Sequence, residues 1–471
     1  MRKESTSLSV PIESGLFPDE DNRSAVPLPE GRYQAISQRH LDRIPMLSEL
    51  SEDERFAIRV VSSVLPFRTN RYVNDNLIDW DKVPKDPVYQ LVFPQRAMLS
   101  DDDFQTVADH ILRGSPDHEI SRIAAEIRNN LNPHPAGQLE FNIPKIDGEA
   151  VNGLQHKYRE TVLFFPSHGQ TCHAYCTFCF RWAQFVGDSK MRIAASQNSG
   201  LHRYLASHPD ISDLLVTGGD PMIMRTSWLE RILRPFIGNR MLEHIQNIRI
   251  GTKALTFWPH RFVGDQDADE LLRLLEDLVD AGKHVAIMAH FNHGQELRTE
   301  VVRDAIRRIR DTGAEIRCQA PLLAHINDCP AIWSRMWEKQ VRLGMVPYYM
   351  FVERDTGARH YFEVPLARGW EIYAEAVRQV SGLGRTVRGP SMSATPGKVE
   401  VLGIQEIHGE KVFVLRFLQG RNPEWVAKPF FAKFDPAATW FDHLKPALGQ
   451  SKFFFEDEFR AMTGNKIALA A

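Results

Sequence analysis

Cysteine is scarce in this sequence: five residues in 471, at positions 172, 176, 179, 318 and 329. An odd, sparse set excludes a disulfide framework and fits a reducing compartment. No run of about 18 or more apolar residues occurs, so no segment is expected to span a bilayer. Residues 1–15 are polar and lack the apolar stretch of a secretory signal, so the expected location is the cytoplasm. Charge of one sign is not in excess. Lys and Arg number 57, Asp and Glu 60, and the net charge is -3, which excludes the basic surplus of a nucleic-acid or anionic-membrane binder. Internal repeats and low-complexity tracts are also absent. What is present is an ordinary balance, 43% hydrophobic and 25% charged, enough for a sizeable core.

The pattern along the chain divides it into a loose arm (1–31), a mostly helical region (32–150), an alternating region (151–400) and a small C-terminal extension (401–471). In the helical region Ser51, followed three residues later by Glu54, is a capping-box signal. Segment 132–137, Asn-Pro-His-Pro-Ala-Gly, reads as a linker. From about 158 onward, short apolar runs at 162–165, 214–217, 248–251, 284–290, 316–323 and 346–352 alternate with amphipathic windows. Leu271, Leu274, Leu275 and Leu278 form one helical stripe closed by Gly282. Val302, Ala305, Ile306 and Ile309 form another, with Thr299 as N-cap and Gly313 as stop. Strand–helix units in series predict an α/β fold with a parallel sheet and right-handed crossovers. Six units fall short of a closed eightfold barrel, so the expectation is an open partial (β/α)6 barrel with its ligands beyond the carboxyl ends of the strands. Beyond Lys398, runs at 399–402 and 411–415 predict a hairpin.

The loop after the first of these strands reads Gly169-Gln-Thr-Cys172-His-Ala-Tyr-Cys176-Thr-Phe-Cys179-Phe-Arg181. Thiolates spaced by three and two residues can converge on one site, and soft sulfur ligands select iron–sulfur clusters, zinc or copper(I). A structural zinc site needs four closed ligands, and here His173 or His168 would have to supply the fourth. Three cysteines alone fit a [4Fe–4S] cluster with one iron left open.

This spacing resembles the signature of the radical S-adenosylmethionine (SAM) superfamily. The resemblance implies that SAM chelates the open iron of a cluster on Cys172, Cys176 and Cys179, and that an electron from the cluster releases a 5′-deoxyadenosyl radical. Over roughly residues 60–400 the chain looks like the lysine 2,3-aminomutase family. Gly153-Leu-Gln-His-Lys-Tyr158 is similar to the family's stretch of pyridoxal-phosphate (PLP) contacts. Thr217-Gly218-Gly219-Asp220-Pro221 resembles the glycine-glycine-acid segment that helps hold SAM's amino group. Ile248-Arg-Ile-Gly-Thr252, His290-Phe-Asn-His293, Gln319-Ala-Pro-Leu-Leu and Pro347-Tyr-Tyr349 resemble its later strand ends. The family frame implies Gly218, Gly219, Asp220, His290, Gln319 and Tyr158 as cofactor contacts, Lys398 as the Schiff-base lysine for PLP, and Arg181 as the grip on the substrate's α-carboxylate. It also implies an external electron donor such as flavodoxin or ferredoxin, and leaves a homo-oligomer open.

Departures from the family pattern shape the expected substrate. Only Gly397 precedes Lys398 where the family carries a run of glycines. The positions of the two aspartates that hold a lysine side chain carry Arg354 and Ser391, with Asp355 one residue away. An arginine there disfavours lysine and favours an acidic or neutral amino acid such as glutamate. Cys329 matches a zinc-ligand position of some members, but no cysteine follows it, so Cys329 and Cys318 are expected to be buried thiols. The expectation is a radical SAM, PLP-dependent 2,3-aminomutase. Its rivals are an enzyme on the same scaffold without PLP-dependent amino migration and a zinc-stabilised binding protein without catalysis.

Overall fold

The leucine stripes become the buried faces of crossover helices. In a computed structural model, which describes residues 33–464, Leu271, Leu274, Leu275 and Leu278 lie fully buried on one helix, Ala268–Asp280. Gly282 follows it with φ +82°, a left-handed turn that glycine takes without strain. Val302, Ala305, Ile306 and Ile309 do the same on Glu300–Asp311, whose first turn is capped by the Thr299 hydroxyl. The expected arm at 1–31 lies outside the described residues.

The strands form an 11-stranded sheet in strict chain order. They are β1 (Leu154–Tyr158), β2 (Thr161–Phe164), β3 (Asp213–Val216), β4 (Asn247–Thr252), β5 (His284–His290), β6 (Glu315–Leu322), β7 (Val346–Val352), β8 (Arg388–Ser393), β9 (Gly397–Ile407), β10 (Glu410–Gly420) and β11 (Pro429–Lys433). From β2 to β8 every neighbour is parallel. Antiparallel partners flank this block, β1 on one side and β9, β10 and β11 on the other. The edge strands β1 and β11 do not pair, so the barrel is open. A helix crosses between each parallel pair, as right-handed βαβ units require.

The parallel block is one strand longer than the apolar runs indicate. Strand β8, Arg-Gly-Pro-Ser-Met-Ser, carries almost no hydrophobic signal, yet Gly389 to Met392 are buried. A Cβ on Gly389 would lie 2.4 Å from the Met350 carbonyl oxygen, so close approach to β7 selects glycine there. The predicted hairpin is present as β9 and β10, longer than its apolar runs, and β9 crosses position 400.

The helical region carries the predicted capping box at Ser51 and Glu54, with Ser51 N donating to Glu54 Oε2 at 2.9 Å. Its buried residues and those of the barrel share one apolar core. The extension builds a second core, in which Phe417, Trp425, Phe430, Phe453 and Phe455 pack ring against ring. Among the described residues no helix is long and apolar enough to cross a membrane.

Because Phe455 is fully buried against Phe417 at 4.9 Å, Phe455→Ala is expected to destabilise this second core by about 3–5 kcal/mol. The check is a lowered midpoint of urea unfolding followed by tryptophan fluorescence.

Candidate active site

The cysteine loop leaves β2 at the carboxyl edge of the parallel block and is tied down from three directions. The helical region supplies the first: Asn70 Nδ2 donates to the His173 carbonyl at 3.1 Å, and Arg68 Nη1 to the Cys172 carbonyl at 3.1 Å and to the Thr171 hydroxyl. Thr177 N donates to Leu91 O, and Thr177 Oγ1 to Gln90 O at 2.7 Å. Its own turns are the second, with Cys179 N donating to Cys176 O and Trp182 N to Cys179 O. The third is the end of β3, where Gly219 N donates to Gly169 O at 2.9 Å and Asp220 N to Thr171 O at 2.8 Å. Cys172, Cys176 and Cys179 are free and half-buried. Burial pushes each thiol up, Cys179 to about 11.

The glycine-glycine-acid segment works as a joint. A Cβ on Gly219 would sit 2.5 Å from Thr171 O, and one on Gly218 2.5 Å from Gln170 Nε2. Asp220 is spoken for: its carboxylate accepts from Thr252 Oγ1 at 2.6 Å, Met222 N at 2.9 Å and Lys253 N at 2.9 Å. It therefore staples the ends of β3 and β4 together. The next strand end is held by Lys253, whose Nζ donates to Glu296 Oε1 at 2.6 Å and Asn292 Oδ1 at 2.8 Å. This buried pair fixes the turn of His290-Phe-Asn-His293. His290 and Gln319 sit in register on β5 and β6, and His290 Nε2 meets Gln319 Nε2 at 2.8 Å. Burial, reinforced by Lys253 and Arg181, pulls His290 down to about 3, so its ring is neutral.

Basic and aromatic groups line the rest of the mouth. Arg181 lies 4.5 Å from the Phe165 ring and 5.1 Å from that of Phe180, and its Nη1 is shut from solvent with no hydrogen-bond partner. Burial lowers it to about 10. Lys398, on β9, places its ammonium 4.2 Å from the Tyr349 ring and 5.6 Å from that of Phe351. Burial lowers its amine to about 8. Lys157 donates to Ala394 O and is driven well down by burial and by Arg421, Arg354 and Lys398. Its neighbour Tyr158 is pushed up by burial. Arg354 lies 5.3 Å from the Phe180 ring, while Ser391 Oγ is buried without a partner. Arg181, Lys398, Lys157, Tyr158 and Arg354 keep some exposed surface despite their depth, as groups lining a concavity do.

These residues fit the cofactors in question. Among the described residues no three His, Cys, Asp or Glu side chains gather tightly enough to hold one metal ion. A cluster takes one thiolate per iron and does not need the sulfurs to meet at a point. The unpaired Arg181 donor suits a carboxylate, and a lysine amine with a lowered pKa suits imine chemistry. One correction follows from the geometry. Cys329 is exposed, at the start of helix Pro330–Arg342, whereas Cys318 is buried against Met345. Gly397 is a packing glycine, since its Cβ would lie 2.4 Å from Gln419 O.

No family profile matches the chain. A putative L-lysine 2,3-aminomutase of Aquifex aeolicus is 32% identical over 410 residues, spanning 87% of this chain and 96% of that protein. The chain belongs to the radical SAM lysine 2,3-aminomutase family. An L-lysine 2,3-aminomutase of Bacillus subtilis is 28% identical over 335 residues, 71% of this chain and 60% of the relative. Among solved structures, Streptococcus suis SuiB bound to S-adenosylmethionine aligns at TM-score 0.34 and 12% identity, over 58% of this chain and 57% of that one, a likeness too slight to weigh. Membership of the family implies SAM and a [4Fe–4S] cluster.

The supports of the family-like site come from residues outside its motifs. Arg68, Asn70, Lys253 and Glu296 are single charged or polar residues in unremarkable segments, and only the fold shows what they hold. Lys398 carries the clearest test. Its charge is lost as the pH rises through about 8, whereas an ordinary lysine stays charged to about 10.4. In protein labelled with ¹³C-lysine, the Cε resonance missing from Lys398→Met should titrate near pH 8.

Proposed function

We propose that this chain is a radical SAM, PLP-dependent 2,3-aminomutase that moves the α-amino group of an amino acid other than lysine to its β-carbon. The observation that carries the reading is Arg181: an unpaired guanidinium nitrogen, walled by two aromatic rings, two residues from Cys179. When bound, the cluster and SAM supply a hydrogen-abstracting radical, and PLP supplies the carrier for the migrating nitrogen. Cys172, Cys176 and Cys179 hold the cluster. Arg181 grips the substrate's α-carboxylate and fixes which C–H faces the radical, a matter of proximity and orientation. Lys398 presents a neutral amine above about pH 8 for attachment of PLP. Neutral His290 with Gln319, the Gly218–Gly219 joint and Tyr158 complete the cofactor walls.

Arg354 supports a substrate other than lysine, because a guanidinium repels a side-chain ammonium. Ser391, buried on β8 with an unpaired hydroxyl, stands as its companion in the substrate contact. The partners of this reading are a small amino acid and an electron donor such as flavodoxin or ferredoxin, in the cytoplasm, with neither nucleic acid nor membrane. A homo-oligomer is compatible with it. A second reading, the same scaffold without PLP, gains from Gly397, which is committed to packing and leaves Lys398 strand-bound.

Anaerobic reconstitution should give about four irons and four sulfides per chain, reduced in Cys176→Ala. Bound PLP should absorb in the wild type and vanish in Lys398→Ala; PLP-free protein that still cleaves SAM would favour the second reading. With SAM, PLP, reductant and an amino acid panel, a β-amino acid should form. Deoxyadenosine release with no amino shift across the panel would sink the aminomutase reading.

A further inference from the structure

The chain beyond β11 returns to the strand ends and is pinned there. Thr439 Oγ1 donates to Glu363 Oε2 at 2.8 Å, Arg359 Nη2 meets Thr439 Oγ1 and His443 Nε2, each at 3.1 Å, and Leu366 N donates to Ala438 O. This brings Trp440 and Asp442 to the loop that follows β7. The Arg354 guanidinium lies 5.7 Å from the Trp440 ring and 5.3 Å from that of Phe180. Arg181 lies 5.1 Å from the same Phe180 ring. One aromatic side chain therefore separates the carboxylate grip from Arg354.

Three buried atoms at this spot have no hydrogen-bond partner: Arg354 Nε, Asp355 Oδ1 and Asp442 Oδ1. Arg354 Nε and Asp355 Oδ1 are 3.7 Å apart, an ion pair too long for a hydrogen bond. Asp442 is within electrostatic reach of Asp355, His443, Arg359 and Arg354. Leaving buried donors and acceptors unpaired is costly, so one donor and two acceptors together describe a ligand with one acceptor and two donors. Charge separates the candidates. A carboxylate would meet two aspartates as well as Arg354. An ammonium would satisfy the two carboxylates but has no acceptor for Arg354 Nε, which would stay unpaired beside a second cation. A primary carboxamide offers its oxygen to Nε and its two N–H groups to the carboxylates, and adds no charge.

We propose that Arg354, Asp355 and Asp442 recognise a side-chain carboxamide on the amino acid substrate, so that the C-terminal segment sets specificity. This rests on the aminomutase reading, in which Arg181 orients the same molecule. The test is calorimetric binding to the reconstituted holoenzyme without reductant, so that nothing turns over. The better of L-asparagine and L-glutamine should bind at least tenfold tighter than its matching acid and than L-lysine. Asp442→Asn should lose at least tenfold for that amide, while L-alanine, with no distal group, changes less than twofold. Tighter binding of the acid or of L-lysine overturns the proposal, as does an equal loss for amide and L-alanine. Amide-selective binding in a protein that forms no β-amino acid would overturn the aminomutase reading and leave carboxamide recognition by Arg354, Asp355 and Asp442 standing.

Discussion

The contact on which the site depends is the docking of the β3 end against the cysteine loop. Two backbone hydrogen bonds make it, Gly219 N to Gly169 O and Asp220 N to Thr171 O. It forms only because Gly218 and Gly219 lack side chains that would strike Gln170 and Thr171. From there the order propagates: Asp220 staples β4 through Thr252 and Lys253, and Lys253 holds the β5 turn through Glu296. The parallel strand ends are thereby fixed relative to the three cysteines. A radical site needs that rigidity, because its selectivity comes from position and not from a reactive side chain.

The second constraint is electrostatic. Arg181, Arg354, Lys157 and Lys398 crowd the mouth of the barrel, and depth shifts the bases Arg181, Lys157 and Lys398 toward neutrality. Aromatic faces of Phe165, Phe180 and Tyr349 partly compensate them. Such a mouth favours anionic groups at its cations, whereas beside Arg354 the two carboxylates of Asp355 and Asp442 outnumber the guanidinium.

Much of this was legible in the sequence, and for identifiable reasons. The crossover helices announced themselves because Leu271 to Leu278 and Val302 to Ile309 repeat at helical spacing, and the central strands because their runs are apolar on both faces. Strand β8 was hidden because a Gly-Pro-Ser segment carries no hydrophobic signal, and its burial comes from its place between β7 and β9 in the sheet. The cysteine spacing was visible since three ligands lie in one short loop. Arg68, Asn70 and Asp442 were not, because each reaches the site through tertiary folding from a distant part of the chain. Cys329 was misplaced as buried because a thiol's exposure depends on the helix start it precedes.

The proposed task of the loop carrying Cys172, Cys176 and Cys179 is to hold a cluster with one iron open to SAM. Electron paramagnetic resonance of the reduced, reconstituted protein reads out that arrangement. A reduced-cluster signal is expected whose g-values shift when SAM is added, as they must if SAM ligates an iron. A spectrum indifferent to saturating SAM would contradict it.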